Sequence, residues 1–240
     1  MAVRVRIGVA DLRAEGKFRS ERVDQLIWGQ EVQLLNETEG EYVRVRAPDG
    51  YEAFIIANSL KKSRERIRYK LSRSFAAGDL RLPLGSLLTD EDVSRLEVGK
   101  AILRSMDHTM DRIILARRYL GVPYLWGGVT EFGTDCSGLT QRVFSFNNLQ
   151  LPRNADQQES VGSQVESLKD AAPGDLVFFP GHVGMHIGEG MMIHANLHFQ
   201  RVTITNLLGR DAYSRNLRGS ITSIRTYPVN QRSTLSMLNG

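Results

Sequence analysis

One thiol and five imidazoles hold most of the reactive chemistry available to this 240-residue chain, and four of the imidazoles fall between His182 and His198. Cys136 is the single cysteine, so no internal disulfide accounts for it. A thiol attacks a carbonyl as its thiolate, and a free cysteine ionises near pH ~8.5, so a nucleophilic role asks for help from the surroundings. The run Asp135-Cys136-Ser137-Gly138 offers that help. Asp135 is a good N-cap for a helix whose apolar positions Leu139, Val143 and Phe146 follow at helical spacing. Cys136 then stands in the first turn, where unpaired N–H groups and the macrodipole favour a negative sulfur and can hold the oxyanion of a tetrahedral intermediate. The competing reading is a buried structural cysteine.

The segment from Gly181 to Ala195 reads as two strands joined at Gly188-Glu189-Gly190, a tight-turn composition. If Ile187 pairs with Met191, His194 faces Gly184 across the ladder and His182 lies one diagonal step away. One face then holds His182, Gly184 and His194, with the glycine keeping space open, and the other holds Val183, Met185, Ile187, Ile193 and Ala195. Two adjacent imidazoles suit a base and its orienter: His182 takes the thiol proton and forms an ion pair with the thiolate, and His194 fixes its tautomer. Cys136, His182, His186 and His194 also resemble a zinc ligand set, but the helical His-x-x-x-His spacing and a cysteine pair are missing, and His186 faces the far end of its strand. His198 reads as a surface residue.

Stepping outward, the elements that must position these groups divide the chain in three. Residues 1–62 alternate in short runs (Val3, Val5, Ile7; Val32–Leu35; Tyr42–Val45) split by turn signals such as Pro48-Asp49-Gly50, which predicts a small all-β barrel. Residues 63–105 predict a second small β unit or linker, with a helical turn over 90–96. From 106 to 240 the pattern changes. A helix with Asp107 as N-cap and Met110, Ile113, Ile114 and Leu120 on one face precedes the Cys136 helix, and five strand-like runs follow, which predicts an α+β domain.

Composition is that of an ordinary globular protein, 41% hydrophobic and 24% charged. The net charge of +4 favours an anionic partner, and much of it lies in the run Lys61 to Lys70. That run has one interleaved aromatic and reads as a linker or solvated strand edge, not as a nucleic-acid patch. No stretch is long and apolar enough to span a bilayer, and the opening residues alternate, so the chain as written reads as cytosolic. A trimmed leader would leave the same pattern. Composition does not address the oligomeric state.

The blocks "LGVPYLWGGVTEFGTDCSGLTQRVF", "LPRNADQQ", "APGDLVFF" and "HVGMHIGEGMMIHA", in this order over about residues 115 to 198, resemble the NlpC family of papain-like cell-wall cysteine peptidases. The resemblance implies a papain-like catalytic domain with Cys136 as nucleophile, His182 as base and His194 as third member. It implies that Tyr124 helps form the oxyanion site and that Asp135 and Ser137 bind amine or carboxylate groups of the substrate. No cofactor is implied. The block after Pro152-Arg153 reads Asn154-Ala155 where relatives often have Asp or Ser.

"VADLRAE", "SERVDQLIWGQEV" and "EYVRVRAPDGY" are similar to a bacterial Src-homology-3-like domain found ahead of such peptidases. In those relatives the barrel blocks one end of the groove, so that only a peptide with a free N-terminal L-alanine fits. Glu21 and Tyr51 are the candidates for that amine-binding wall. The expected substrate is a murein peptide, cut between γ-D-glutamate and the following diamino acid during wall-peptide recycling. The alternatives are an amidase or acyltransferase using the same Cys-His pair, and a non-catalytic wall-binding protein.

Overall fold

The structure, a computed structural model, describes residues 1–228; the end of the expected 106–240 unit, residues 229–240, lies outside them. The N-terminal unit consists of β1 (Ala2–Val5), β2 (Val9–Arg13), β3 (Arg22–Ile27), β4 (Glu31–Glu39), β5 (Tyr42–Arg46), β6 (Glu52–Ile56) and β7 (Leu60–Ser63). Alternation along these strands sends Val5, Leu12, Leu26, Val45 and Ile55 into one core. The strands form one antiparallel sheet of order β3-β2-β6-β5-β4-β1-β7, bent by a register shift between Leu34 and Thr38. The unit is all-β as expected, but it is not a closed barrel: among the described residues β3 and β7 do not pair. The free edge of β3 lies instead against the third unit, where Gln25 Oε1 accepts a hydrogen bond from Val129 N–H at 3.3 Å. A covered edge needs no closure to be protected.

The middle unit has β8 (Tyr69–Leu71), β9 (Phe75–Ala77), β10 (Leu80–Leu82), β11 (Leu87–Leu88), α1 (Asp90–Arg95) and β12 (Leu103–Ser105). Its core of Leu71, Leu82, Leu88, Val98 and Ile102 is completed by Trp28 from the N-terminal unit. Within the basic run, Lys61 and Lys62 lie on the edge strand β7, whereas Lys70 on β8 is buried.

The third unit opens with α2 (Arg112–Arg117). Its N-cap is Asp111, which accepts from Ile114 N–H at 2.8 Å, and not Asp107, because Met110 N–H is drawn to Asn147 Oδ1 instead. A short hairpin, β13 (Val129–Thr130) and β14 (Gly133–Thr134), leads into α3 (Cys136–Phe146) and α4 (Ala155–Glu159). Then come β15 (Ser163–Gln164), β16 (Leu176–Phe179), β17 (His182–His186), β18 (Met191–Asn196), β19 (Arg201–Asn206), α5 (Ala212–Gly219) and β20 (Ser223–Thr226). The strands make a sheet of order β15-β20-β16-β17-β18-β19. Helix α5 is not foreseen from sequence; Asp211 caps it through Ser214 N–H at 2.9 Å.

Both faces of this sheet are apolar. Val183, Met185, Ile193 and Ala195 pack with Leu139, Val143 and Phe144 of α3, while Val177, Phe179, Met192, Leu207 and Ile224 form a second core behind it. The layers therefore hold the helix that begins at Cys136 flat against the histidine strands.

Candidate active site

Asp135 caps α3 as its sequence implies, accepting from Gly138 N–H at 2.7 Å. Gly138 is required there, since a Cβ would lie 2.2 Å from Gly128 O. Cys136 begins the helix and is buried. The backbone N–H groups of Val183 and Ser137 are placed to favour a negative charge on its sulfur. The ladder between β17 and β18 covers Met185↔Ile193 and His186↔Met192 and extends no further upstream. The Val183 amide is thus left for the sulfur, which brings Cys136 against the start of the strand on which His182 stands.

The hairpin has the register read from the turn: Ile187 N–H donates to Met191 O. His182 Nε2 lies 2.8 Å from His194 Nδ1, leaving Nδ1 of His182 as the ring nitrogen available to the thiol. On its other side His194 Nε2 meets Thr205 Oγ1 at 2.9 Å and Asn196 Nδ2 at 3.2 Å. Gly184 does not keep space open. A Cβ there would lie 2.4 Å from Met192 Sδ and 3.1 Å from His194 Cβ, so the glycine lets these two side chains close over the strand. His186 takes no part. It is buried at the far end of β17 with Nδ1 3.2 Å from Ala172 O.

Burial governs the protonation of the pair. It pushes the Cys136 thiol up to about 11, aided by Asp135 and opposed by the two amides and Arg153. It pushes His182 down to about 4 and His194 down to about 3, the latter also repelled by His182. Desolvation at this site therefore favours the neutral thiol and the neutral imidazole, against the pull of the helix terminus toward the thiolate.

Tyr124 borders the same groove, about 490 Å³ in volume and lined also by Trp126, His182, His198 and Tyr213. Burial, with the Cys136 and Asp135 charges, pushes its hydroxyl far above the usual tyrosine range, so it remains an O–H donor. His198 is exposed, as its sequence position suggests, and stacks on Tyr213 at 4.5 Å at that groove.

A buried guanidinium organises the other side of Cys136. Arg153 Nη1 donates to Asp135 Oδ1 at 3.1 Å and to Ser137 Oγ at 2.8 Å, and Nη2 donates to Asp135 Oδ2 at 2.5 Å. Gly127 N–H also reaches Asp135 Oδ2, at 2.8 Å, and Ser137 Oγ donates to Oδ1. The Asp135 carboxylate is thereby taken by donors from Gly127, Ser137, Gly138 and Arg153. No local pattern assigns Arg153 a role; its place in the "LPRNADQQ" block is the one signal in the sequence that points to it.

Glu21 and Tyr51 reach this region from the N-terminal unit. Trp126 Nε1 donates to Glu21 Oε1 at 2.6 Å. The Tyr51 hydroxyl is pushed up by burial and by the Asp24 and Glu21 carboxylates, a shift opposed by Arg153 and the Asn154 side chain. In the Asn154-Ala155 departure, Asn154 stands as the N-cap residue of α4.

Comparison with known proteins agrees with this layout. Residues 121–220 match the NlpC/P60 family and residues 12–60 match the bacterial dipeptidyl-peptidase SH3 domain. The chain is 27% identical over 259 residues to dipeptidyl-peptidase 6 of Lysinibacillus sphaericus, covering 90% of this chain and 96% of that protein. It is 42% identical over 85 residues to gamma-D-glutamyl-L-lysine dipeptidyl-peptidase of Bacillus subtilis, covering 32% of this chain but only 28% of that one. A crystal structure of an NlpC/P60 family protein from Bacillus cereus superposes with a TM-score of 0.76 at 19% identity, covering 95% of this chain and 99% of the other, which shows a shared fold.

Proposed function

We propose that this chain, an NlpC/P60 domain of the peptidoglycan hydrolase family behind a bacterial SH3 domain, is a cysteine peptidase that cuts the amide between γ-D-glutamate and the next diamino acid of murein peptides. Cys136 is the nucleophile, His182 the base and His194 its orienter. On substrate binding the thiol proton passes to His182 Nδ1 as sulfur attacks the carbonyl carbon. The oxyanion is held by first-turn amides and the Tyr124 hydroxyl; the Gly138 amide is committed to Asp135. His182 then returns its proton to the leaving amine, and water hydrolyses the thioester with His182 again as base.

What supports this reading is the bond from Trp126, which lines the groove beside His182, to Glu21 of the N-terminal unit, with Tyr51 of the same unit near Arg153. A carboxylate and a phenol supplied from that unit suit an alkylammonium. They support selectivity for a free N-terminal L-alanine, as found on wall peptides released from glycan, and hence a role in recycling. The name of the Bacillus subtilis relative, gamma-D-glutamyl-L-lysine dipeptidyl-peptidase, supports the same class of substrate.

The test is to incubate the protein with L-Ala-γ-D-Glu-meso-diaminopimelate and with its N-acetylated form, following products by mass spectrometry. The free peptide should be cleaved about 100-fold faster, equivalent to ~2.7 kcal/mol of transition-state binding, and Cys136→Ala should abolish cleavage. Equal cleavage of the two peptides would remove the amine wall from the reading. Retained activity in Cys136→Ala would remove the nucleophile.

A further inference from the structure

Arg153 is almost wholly buried, and its guanidinium does not belong to the catalytic unit alone. Its Nε donates at 2.7 Å to Oδ1 of Asp24, on β3 of the N-terminal unit, with side-chain exposures of 2% and 3% for the two residues. The remaining donors form the fork on Asp135 and the bond to Ser137, the two residues that flank the nucleophile. Gln141, on the same helix as Cys136, donates to Asp49 Oδ2 at 2.8 Å, so the turn between β5 and β6 also grips α3.

We infer that Asp24 is a positioning residue for the nucleophile: it fixes the plane of the Arg153 guanidinium, and Arg153 in turn fixes Asp135 and Ser137 on either side of Cys136. A fork on Asp135 alone leaves Nε–H buried without an acceptor, which a structure relieves by tilting the guanidinium. Ser137 Oγ, bonded to the Nη1 that would move, follows the tilt, and with it the first-turn amides that receive the oxyanion. The N-terminal unit therefore does more than wall the groove. It supplies the carboxylate that holds Arg153, which in turn holds the two residues flanking the reacting sulfur, a role that rests on Cys136 being the nucleophile as proposed above.

Asp24 also balances charge. Arg153 favours the thiolate and Asp135 opposes it. Removing the Asp24 charge leaves the guanidinium less compensated, so the thiol should ionise more readily even as its alignment worsens. A residue that only stabilises the fold would change neither property in molecules that remain folded.

The experiment compares the full chain with Asp24→Asn, using Asp24→Ser if the first variant does not accumulate as folded protein by far-ultraviolet circular dichroism. Alkylation of Cys136 by iodoacetamide is followed from pH 6 to 10, and kcat and KM are measured on the free murein peptide. The expected result is alkylation about threefold faster at pH 8 together with a kcat about tenfold lower. Either quantity at its wild-type value in the folded variant overturns the inference. If the wild-type protein cleaves no murein peptide, the proposed function falls, while the alkylation profile alone still decides the role of Asp24.

Discussion

At the scale of single residues, the proposed chemistry turns on where the protons of the histidine pair reside. Phe199 N–H donates to Asn196 Oδ1 at 2.8 Å, which fixes the amide so that Nδ2 faces His194 Nε2. In the resting arrangement that nitrogen accepts, so His194 holds its proton on Nδ1 and gives it to His182 Nε2. For His182 Nδ1 to take the thiol proton, Nε2 of His182 must become the donor and the His194 proton must move to Nε2. There the Thr205 hydroxyl, 2.9 Å away, can rotate to accept it; the Asn196 amide cannot. Thr205→Val, which keeps the shape and removes the acceptor, should lower kcat about tenfold, the ~1.4 kcal/mol expected of one neutral hydrogen bond. Thr205→Ser should restore it. Steady-state rates of the two variants check this, and a wild-type rate in Thr205→Val would sink it.

At the scale of elements, α3 is held at both ends. Asp135 caps its start, and at its end the Lys70 ammonium donates to Phe146 O at 2.6 Å, Met106 O at 2.9 Å and Asn148 Oδ1 at 3.2 Å. A cation suits a helix C-terminus, yet burial pushes this lysine down to about 8, only partly offset by Asp107. The folded state therefore binds the Lys70 proton more weakly than the unfolded chain, whose lysine keeps its ordinary value of 10.5. The stability linked to this group is complete above pH ~10.5 and is lost as pH falls through about 8. The unfolding free energy of the wild type minus that of Lys70→Met should thus rise between pH 8 and 10, measured by urea titration; parallel curves would show that Lys70 does not titrate there. The capped start of α3 and the β17–β18 register were legible in the sequence because both rest on local patterns, an N-cap before helical spacing and a Gly-Glu-Gly turn. The Lys70 contact was not, because a lysine inside a basic run gives no local sign that its strand turns inward against Phe146, 76 residues away. Gly184 shows the intermediate case: its position was legible, but the Met192 sulfur that occupies the space beside it was not.

At the scale of the whole molecule, the catalytic unit and the N-terminal unit meet through buried polar groups instead of a shared apolar core. Asp24 and Arg153 are separated by 129 residues, so no periodicity or motif joins them; only the docking of the β3 edge does. Asp24 and Asp135 share the single guanidinium of Arg153, and the Asp49 carboxylate, bonded by Gln141, adds a third negative charge nearby, so this junction holds more carboxylate than Arg153 alone neutralises. Burial pushes Asp24 up to about 7, with Asp49 and Asp135 adding to the effect and Arg153 opposing it. Its folded value is raised above the 3.8 of the unfolded chain, so the folded protein binds this proton more tightly. The associated stability is fully present below pH ~3.8 and is lost as pH rises through about 7. Asp24→Asn cannot titrate and lacks this slope. The unfolding free energy of the wild type minus that of Asp24→Asn should therefore fall steadily between pH 4.5 and 7.5 in denaturant titrations. A difference that stays constant, or that grows with pH, would mean that Arg153 holds Asp24 ionised throughout and that the junction carries no proton of its own.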